Sequence, residues 1–127
     1  MIVVDTSALM AIVLDESEAN ACMRALEAED DLLISAGTLA ELLIVAARRG
    51  VHEEVSALID GLGFEVMPVT EGTALRIAAA YEQWGRGIHV AGLNFGDCFA
   101  YEAAKIRGCP LLYVGDDFSK TDVQGAI

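Results

Sequence analysis

Five acidic residues occur at positions where a reaction could use charge. Asp5 follows the apolar run IVV, and Asp116 with Asp117 follows the apolar run LLYV and a glycine. Glu41 lies in the segment after a third apolar run, LLI, and Asp97 follows the glycine-rich stretch GRGIHVAGLNFG. Ligands of open α/β sheets bind at the carboxyl ends of the strands. If the first and last of these strands are parallel and adjacent, Asp5, Asp116 and Asp117 meet at one edge of a sheet, and Glu41 and Asp97 are candidates to join them.

Such a cluster of carboxylates implies a cation. Carboxylates repel each other by roughly 4 kcal/mol for each close pair at an effective dielectric constant of about 20, so the cluster needs a metal ion or bound protons. Oxygen ligands without cysteine or paired histidine favour Mg²⁺, with Mn²⁺ as a substitute, over zinc. A metal held by a few acids polarises a phosphate and lowers the pKa of an attacking water. The acids therefore predict phosphodiester or phosphoryl chemistry.

Each acid also has a simpler structural interpretation. Asp5 could cap the helix that follows it, and Glu41 could form a capping box with Thr38. Asp97 could be a first-turn acid that the helix dipole favours, and the Gly-Asp-Asp sequence after the last apolar run could be a turn. The acids favour a metal site only when they are considered together.

The elements that must position these acids alternate along the chain. Apolar runs predict strands at 2–4, 32–34, 64–69 and 111–114. Between them the predicted helices cover 7–14, a segment from Ser17, a segment from Ser35 or Thr38 to Arg49, 51–63, 70–84 and 97–107, with residues 85–96 as a long loop. Short apolar strands alternating with helices indicate an α/β domain with a mainly parallel central sheet of four or five strands and helices on both faces.

Composition narrows the class of protein. The 127 residues predict one domain, 1–127, and no apolar stretch or leader sequence indicates a membrane span or export, so we expect a cytoplasmic protein. Three widely spaced cysteines predict reduced thiols. The net charge of −12, with 20 acids against 8 Lys and Arg, argues against general nucleic-acid binding through clustered basic residues. It allows a basic protein partner or a metal ion.

Four segments occur in the order of a known family: MIVVDTSALMAI, TLAELLIVAARRG, LNFGDCFAYEAAK and LLYVGDDFSKTD. Together they resemble the PIN-domain ribonucleases, specifically the VapC toxins of bacterial VapBC toxin–antitoxin pairs, over essentially the whole chain. The resemblance implies a single PIN-like domain. It also implies a Mg²⁺-dependent endoribonuclease in which a metal-activated water cleaves RNA.

The resemblance also assigns roles to residues. Asp5, Glu41 and Asp97 match the metal-binding acids of the family, and Ser7 matches the hydroxyl residue that supports the first acid. The fourth acid precedes a phenylalanine. For that position Asp117 is the better match, with Asp116 as its rival.

One loop departs from the family pattern. Members with this LNFGD motif often have a second basic residue and a proline where this chain has Ile88 and Val90. Arg86 and His89 remain as the cationic candidates for contact with RNA, although His89 also fits an ordinary loop residue. The departure concerns substrate binding and leaves the metal-binding acids unaffected.

The resemblance further implies a VapB-type antitoxin whose basic arm reaches the acidic site, and a homodimer. One alternative is a protein-interaction module whose acids bind the antitoxin without catalysis. A phosphotransfer domain that forms an aspartyl phosphate fits less well, because Ser7 stands where a phosphatase of that class needs a second aspartate.

Overall fold

The computed structural model describes residues 1–127 as a parallel four-stranded sheet with helices on both faces. The strands are β1 (Ile2–Val4), β2 (Leu32–Ser35), β3 (Glu65–Met67) and β4 (Leu111–Leu112), in the order β3-β2-β1-β4. The helices are α1 (Thr6–Val13), α2 (Ala19–Glu27), α3 (Ala36–Arg48), α4 (His52–Leu62), α5 (Glu71–Trp84) and α6 (Phe95–Arg107), followed by a 3-10 turn, Phe118–Lys120. The predicted α/β class and parallel sheet are confirmed.

Alternating side chains of the strands build two apolar cores. Ile2 and Val4 belong to the core that contains residues of α1 to α4, whereas Val3 belongs to the core that contains residues of α5 and α6. This alternation follows from strand geometry, in which successive side chains point to opposite faces. All three residues are essentially inaccessible to solvent, so β1 is covered on both sides and its end is held rigidly.

The pairing of β1 with the edge strand β4 brings the first and last acidic segments together. β1 pairs in parallel with β4, with Val4 opposite Leu112, and the backbone N–H of Asp5 donates to the carbonyl of Leu112 at 2.9 Å. Both strands therefore end at the same edge of the sheet. Adjacency of these strands was the condition on which the predicted cluster depended, and the sheet order satisfies it.

Two strands are shorter than predicted. β3 ends at Met67 rather than at residue 69, because Pro68 has no N–H to donate to a ladder. β4 ends at Leu112 rather than at residue 114, and the N–H of Val114 donates instead to the Ser7 hydroxyl at 3.0 Å. That hydrogen bond ties the segment after β4 to the start of α1.

The starts of two helices are set by capping residues. α6 begins at Phe95 rather than at Asp97, because the Asn94 side chain accepts from the N–H of Asp97 at 2.8 Å and caps the helix. α3 begins at Ala36 and is capped by Ser35, the earlier of its two predicted starts. A capping box between Thr38 and Glu41 is therefore not formed.

Cys22 and Cys98 are buried, Cys109 is partly buried, and none forms a disulfide. No helix combines the length and the apolar character that crossing a membrane requires.

Candidate metal centre

Asp5 is a buried carboxylate with one unused oxygen. It is 4% exposed, and its Oδ2 accepts from the Ser7 N–H at 3.0 Å and from the Ser7 hydroxyl at 2.6 Å. The N–H contact makes Asp5 the N-cap of α1, as the structural interpretation predicted. Its Oδ1, however, is buried without any hydrogen-bond partner. Capping therefore explains one oxygen of Asp5 and leaves the other available to a ligand.

The environment of Asp5 disfavours its charge. The pKa of Asp5 is raised to about 6, mainly by burial and also by the charges of Asp97 and Glu41, against the opposing effect of the two hydrogen bonds from Ser7. An aspartate with such a pKa is destabilising when ionised and unpaired. A cation beside Oδ1 would remove that cost.

Asp97 lies in the first turn of α6, where it takes part in the helix cap and also lies close to other acids. Its Oδ2 accepts from the N–H of Asn94 at 3.0 Å, which completes a reciprocal capping box. The pKa of Asp97 is raised by burial and by the charges of Glu41 and Asp117, while the Asn94 N–H and the charge of Arg86 lower it. Asp97 is thus a first-turn acid, as predicted, and its carboxylate also lies near the charges of Glu41 and Asp117.

A cavity of about 390 Å³ joins these carboxylates to the segment after β4. Asp5, Asp97, Asp116 and Asp117 all line it, together with Ser7. Asp116 and Asp117 are exposed, and the carbonyl of Asp116 accepts from the Ser119 hydroxyl at 2.6 Å in a turn. Of the two, Asp117 is the one whose charge acts on Asp97.

Glu41 does not line this cavity. Its Oε1 accepts from the Thr6 hydroxyl at 2.6 Å, and its carboxylate lies against Gly96 at the start of α6. From there its charge raises the pKa of both Asp5 and Asp97. Glu41 is therefore electrostatically part of the cluster without sharing its cavity.

The side chains do not form a closed metal cage. As they stand, no three side chains of the Asp, Glu, His and Cys types are arranged to hold one metal ion. Mg²⁺ is commonly bound through one or two carboxylates and keeps several waters. The buried, unpartnered Oδ1 of Asp5 and the all-oxygen character of the cavity acids fit a divalent cation of this kind.

His89 and Arg86, the two cationic candidates in the loop before α6, have different surroundings. His89 packs edge-on against Trp84, with ring centroids 4.7 Å apart, and its Nδ1 accepts from the N–H of Ala91 at 2.9 Å. These contacts give His89 a role in holding the loop. Arg86 is exposed and has no carboxylate within ion-pair distance. Ile88 and Val90 are 55% and 76% exposed.

Neutralising Asp5 should stabilise the metal-free protein above neutral pH. A pKa raised to about 6 means that folding favours the protonated form, so this stability is present below about pH 4 and lost as pH rises through 6. Asparagine keeps the cap and cannot ionise. In a chelating buffer at pH 8, Asp5→Asn is expected to raise the free energy of unfolding by up to about 3 kcal/mol.

Urea unfolding at pH 8 and at pH 4 measures this difference, which should shrink toward the lower pH. Asp60→Asn is the matched control, because Asp60 is exposed on α4 and has no side-chain hydrogen bond. A variant that is no more stable than wild type at pH 8 would contradict the assigned cost of the buried charge.

Sequence reasoning missed Thr6, Asn94 and Gly96 as parts of this site. The pattern Asn94-x-x-Asp97 is a recognisable capping box and could have moved the start of α6 to Phe95. No local pattern identifies Thr6 as the partner of Glu41, because 35 residues separate them.

Comparison with known proteins identifies the family of this chain. The family model described as PIN domain matches residues 2–124. Ribonuclease VapC30 of Mycobacterium tuberculosis is 40% identical over 124 residues, which cover 95% of each chain. The crystal structure of Mycobacterium tuberculosis VapC20, a sarcin-ricin loop cleaving toxin, has a TM-score of 0.79 at 18% identity and covers 97% of this chain and 96% of its own.

A toxin–antitoxin complex from Klebsiella pneumoniae has the same fold, with a TM-score of 0.72 at 19% identity over 96% of this chain and 93% of that one. The structural likenesses support the fold, and the matched family model and the 40% identity define the membership. The chain belongs to the PIN-domain family and, within it, to the VapC ribonucleases.

Proposed function

We propose that this protein is a metal-dependent endoribonuclease and the toxin of a VapBC toxin–antitoxin pair. The observation that carries the proposal is the buried, unpartnered Oδ1 of Asp5, which belongs to a carboxylate lining the same cavity as Asp97 and Asp117. A buried carboxylate oxygen without a hydrogen-bond partner, close to other acids, is costly when ionised, and a bound cation would offset that cost. Membership of the VapC ribonucleases supports RNA as the substrate.

Asp5 and Asp97 are the residues that would hold a divalent cation, with Mg²⁺ as the expected ion and Mn²⁺ as a substitute. Such an ion, when bound, polarises the phosphate and lowers the pKa of a water. Ser7 orients Asp5 through two hydrogen bonds. Glu41, held by Thr6, and Asp117, preferred over Asp116, add negative charge beside Asp97.

The nucleophile is a water molecule rather than a side chain. The Ser7 hydroxyl donates its only proton to Asp5 and accepts from the N–H of Val114, which holds it as a support for Asp5. Burial, with a contribution from the charge of Asp97, raises the pKa of Cys98 to about 11, which keeps the thiol protonated at neutral pH. The products should therefore carry no covalent enzyme linkage.

The partner proposed for this toxin is a VapB-type antitoxin with a basic segment. The net charge of −12 and the exposed acids Asp116 and Asp117 suit a cationic arm. Likeness to the toxin–antitoxin complex of Klebsiella pneumoniae supports such a partner. Homodimerisation and a cytoplasmic place of action remain proposals from the family pattern.

Metal dependence tests the proposed reaction. Purified, antitoxin-free protein is incubated with a mixed RNA pool in a chelating buffer, and Mg²⁺ or Mn²⁺ is then added in excess. We expect cleavage only after the metal is added. The fragments should lack a 2′,3′-cyclic phosphate, because water rather than the 2′-hydroxyl attacks phosphorus.

Cleavage that persists in the chelator, or fragments that end in a cyclic phosphate, would refute this mechanism. If the protein binds its antitoxin tightly but cuts no RNA with either metal, the acids serve as a docking site, and the interaction module becomes the better description.

A further inference from the structure

An apolar groove opens next to the acidic cavity. It lies between α5 and the start of α6, has a volume of about 790 Å³, and includes Ile77 and Tyr81 on one side and Phe95 and Phe99 on the other. Phe95 is 69% exposed, yet its ring is held edge-on against Phe99 with centroids 4.9 Å apart. We call this feature the Phe95 groove. Its aromatic wall is therefore accessible to a ligand.

The groove and the acidic cavity are neighbours on either side of the first turn of α6. Asn94 lines the groove, Asp97 lines the cavity, and two reciprocal hydrogen bonds join these residues. Phe95 is the first residue of the same helix. A molecule bound at the acids is therefore one helical turn from the Phe95 groove.

Unpaired cations flank the two neighbouring sites. Of the eight Lys and Arg residues, Arg76, Lys105 and Arg107 are committed to ion pairs with carboxylates. Arg86 lines the Phe95 groove and Lys120 lines the acidic cavity, and neither has an acidic partner within 4.0 Å. Of the five Lys and Arg residues without an ion pair, these two line the neighbouring sites.

We infer that RNA crosses the site as a single strand, with an unpaired base stacked on Phe95 in the groove and backbone phosphates beside Arg86 and Lys120. This inference rests on the ribonuclease function proposed above. The face of a base is the apolar surface that RNA offers, and it is accessible only when the strand is unpaired. Proteins that bind single strands combine cationic side chains along the backbone with aromatic side chains on which bases stack.

A second copy of this chain is a less suitable occupant of the groove. An apolar interface between copies would account for the aromatic wall but not for Lys120, which lines the acidic cavity outside the groove. A strand whose phosphate lies at the acids accounts for the aromatic wall, the two free cations and their common path.

The experiment pairs a protein change with a change in the RNA. A fluorescent single-stranded RNA with a mapped cleavage site is compared with analogues in which each base flanking that site is replaced by an abasic nucleotide. Wild-type protein is compared with Phe95→Ala, with Phe95→Tyr, which keeps the ring, and with Leu75→Ala. Leu75 is a matched control because it is also 69% exposed, on α5, but does not line the groove.

Loss of the Phe95 ring should lower kcat/KM by about tenfold or more. Phe95→Tyr and Leu75→Ala should stay close to wild type. One abasic analogue should impose a similar loss on wild-type protein and no further loss on Phe95→Ala, because the two changes remove the same contact. RNA affinity, measured with Asp97→Asn protein so that the probe is not cut, should fall in parallel.

Salt dependence tests the two cations separately. Arg86→Ala and Lys120→Ala should each reduce the slope of log affinity against log salt by about 0.7, the value for one contact with single-stranded phosphate. Arg24→Ala, which removes an unpaired cation on α2 outside both sites, should leave the slope unchanged.

Three outcomes would overturn the inference. The first is a Phe95→Ala variant with unchanged kcat/KM and affinity, and the second is additive losses from that variant and every abasic analogue. The third is a change of molecular mass in solution for Phe95→Ala, which would assign the groove to a second copy. Phe95-dependent binding of RNA that no metal converts into cleavage would instead refute the ribonuclease function and leave the strand path intact.

Discussion

Replacing Asp97 with asparagine is expected to lower RNA cleavage by roughly a hundredfold or more, because even the outer partners of a metal site are worth about 10- to 100-fold. The substitution removes the carboxylate that lines the cavity with Asp5 and Asp117. It should leave α6 intact, since the amide oxygen can still accept from the N–H of Asn94 and the helix keeps its cap.

The stability of Asp97→Asn should stay within about 1 kcal/mol of wild type. A lost acid at a helix N-terminus costs up to about 1 kcal/mol, whereas relief of repulsion from Glu41 and Asp117 acts in the opposite direction. Single-turnover cleavage with Mg²⁺ and urea unfolding measure the two effects. Asp60→Asn makes the same chemical change on the exposed face of α4 and should leave both unchanged. A folded Asp97→Asn variant that cuts RNA at the wild-type rate would remove Asp97 from the mechanism.

The fold could be predicted because its local signals agree with one another. Short apolar runs bounded by polar residues have few alternatives to buried strands, and the sequence between them has helical periodicity. The meeting of Asp5 with the Gly-Asp-Asp segment followed from parallel neighbouring strands, and β1 and β4 are such neighbours. Strand ends were predicted less well, because Val114 leaves the ladder for a hydrogen bond with Ser7, 107 residues away in sequence.

The inner arrangement of the site could not be predicted, because it depends on contacts between helices. Glu41 is held by Thr6 only because α1 and α3 pack together. The sequence alone gave Glu41 a local partner, Thr38, and that capping box is absent because Ser35 already caps the helix. Long-range contacts of this kind leave no periodic trace in the sequence.

Asp5 and Asp97 each combine a cap with a place in the acidic cavity. One oxygen of Asp5 and one of Asp97 accept backbone N–H groups at the start of a helix. The structural and functional interpretations of these acids are therefore compatible. The caps fix the carboxylates at helix N-termini, where the partial positive charge of the helix also offsets part of their repulsion.

Gly96→Ala is expected to lower cleavage by about 10- to 100-fold with little loss of stability, because it displaces a carboxylate rather than a backbone. A Cβ at Gly96 would lie 2.7 Å from Cδ of Glu41 and would overlap its carboxylate oxygen. The end of a glutamate side chain moves easily, so Glu41 should turn away from Thr6. The lost hydrogen bond costs about 1 kcal/mol, and alanine recovers about 1 kcal/mol of helix propensity.

A double-mutant cycle separates this effect from a general disturbance of α6. If Gly96→Ala acts through Glu41, the double variant with Glu41→Gln should cleave RNA no more slowly than Glu41→Gln alone. Gly61→Ala is the control, because Gly61 lies in α4 with nothing within 4 Å of an added Cβ. Multiplicative losses in the double variant, or wild-type cleavage by Gly96→Ala, would show that the position of Glu41 against Gly96 does not govern the reaction. Non-additive losses would instead show that the acidic site requires glycine at position 96. Only a residue without a Cβ leaves room for the Glu41 carboxylate, whose charge acts on Asp97.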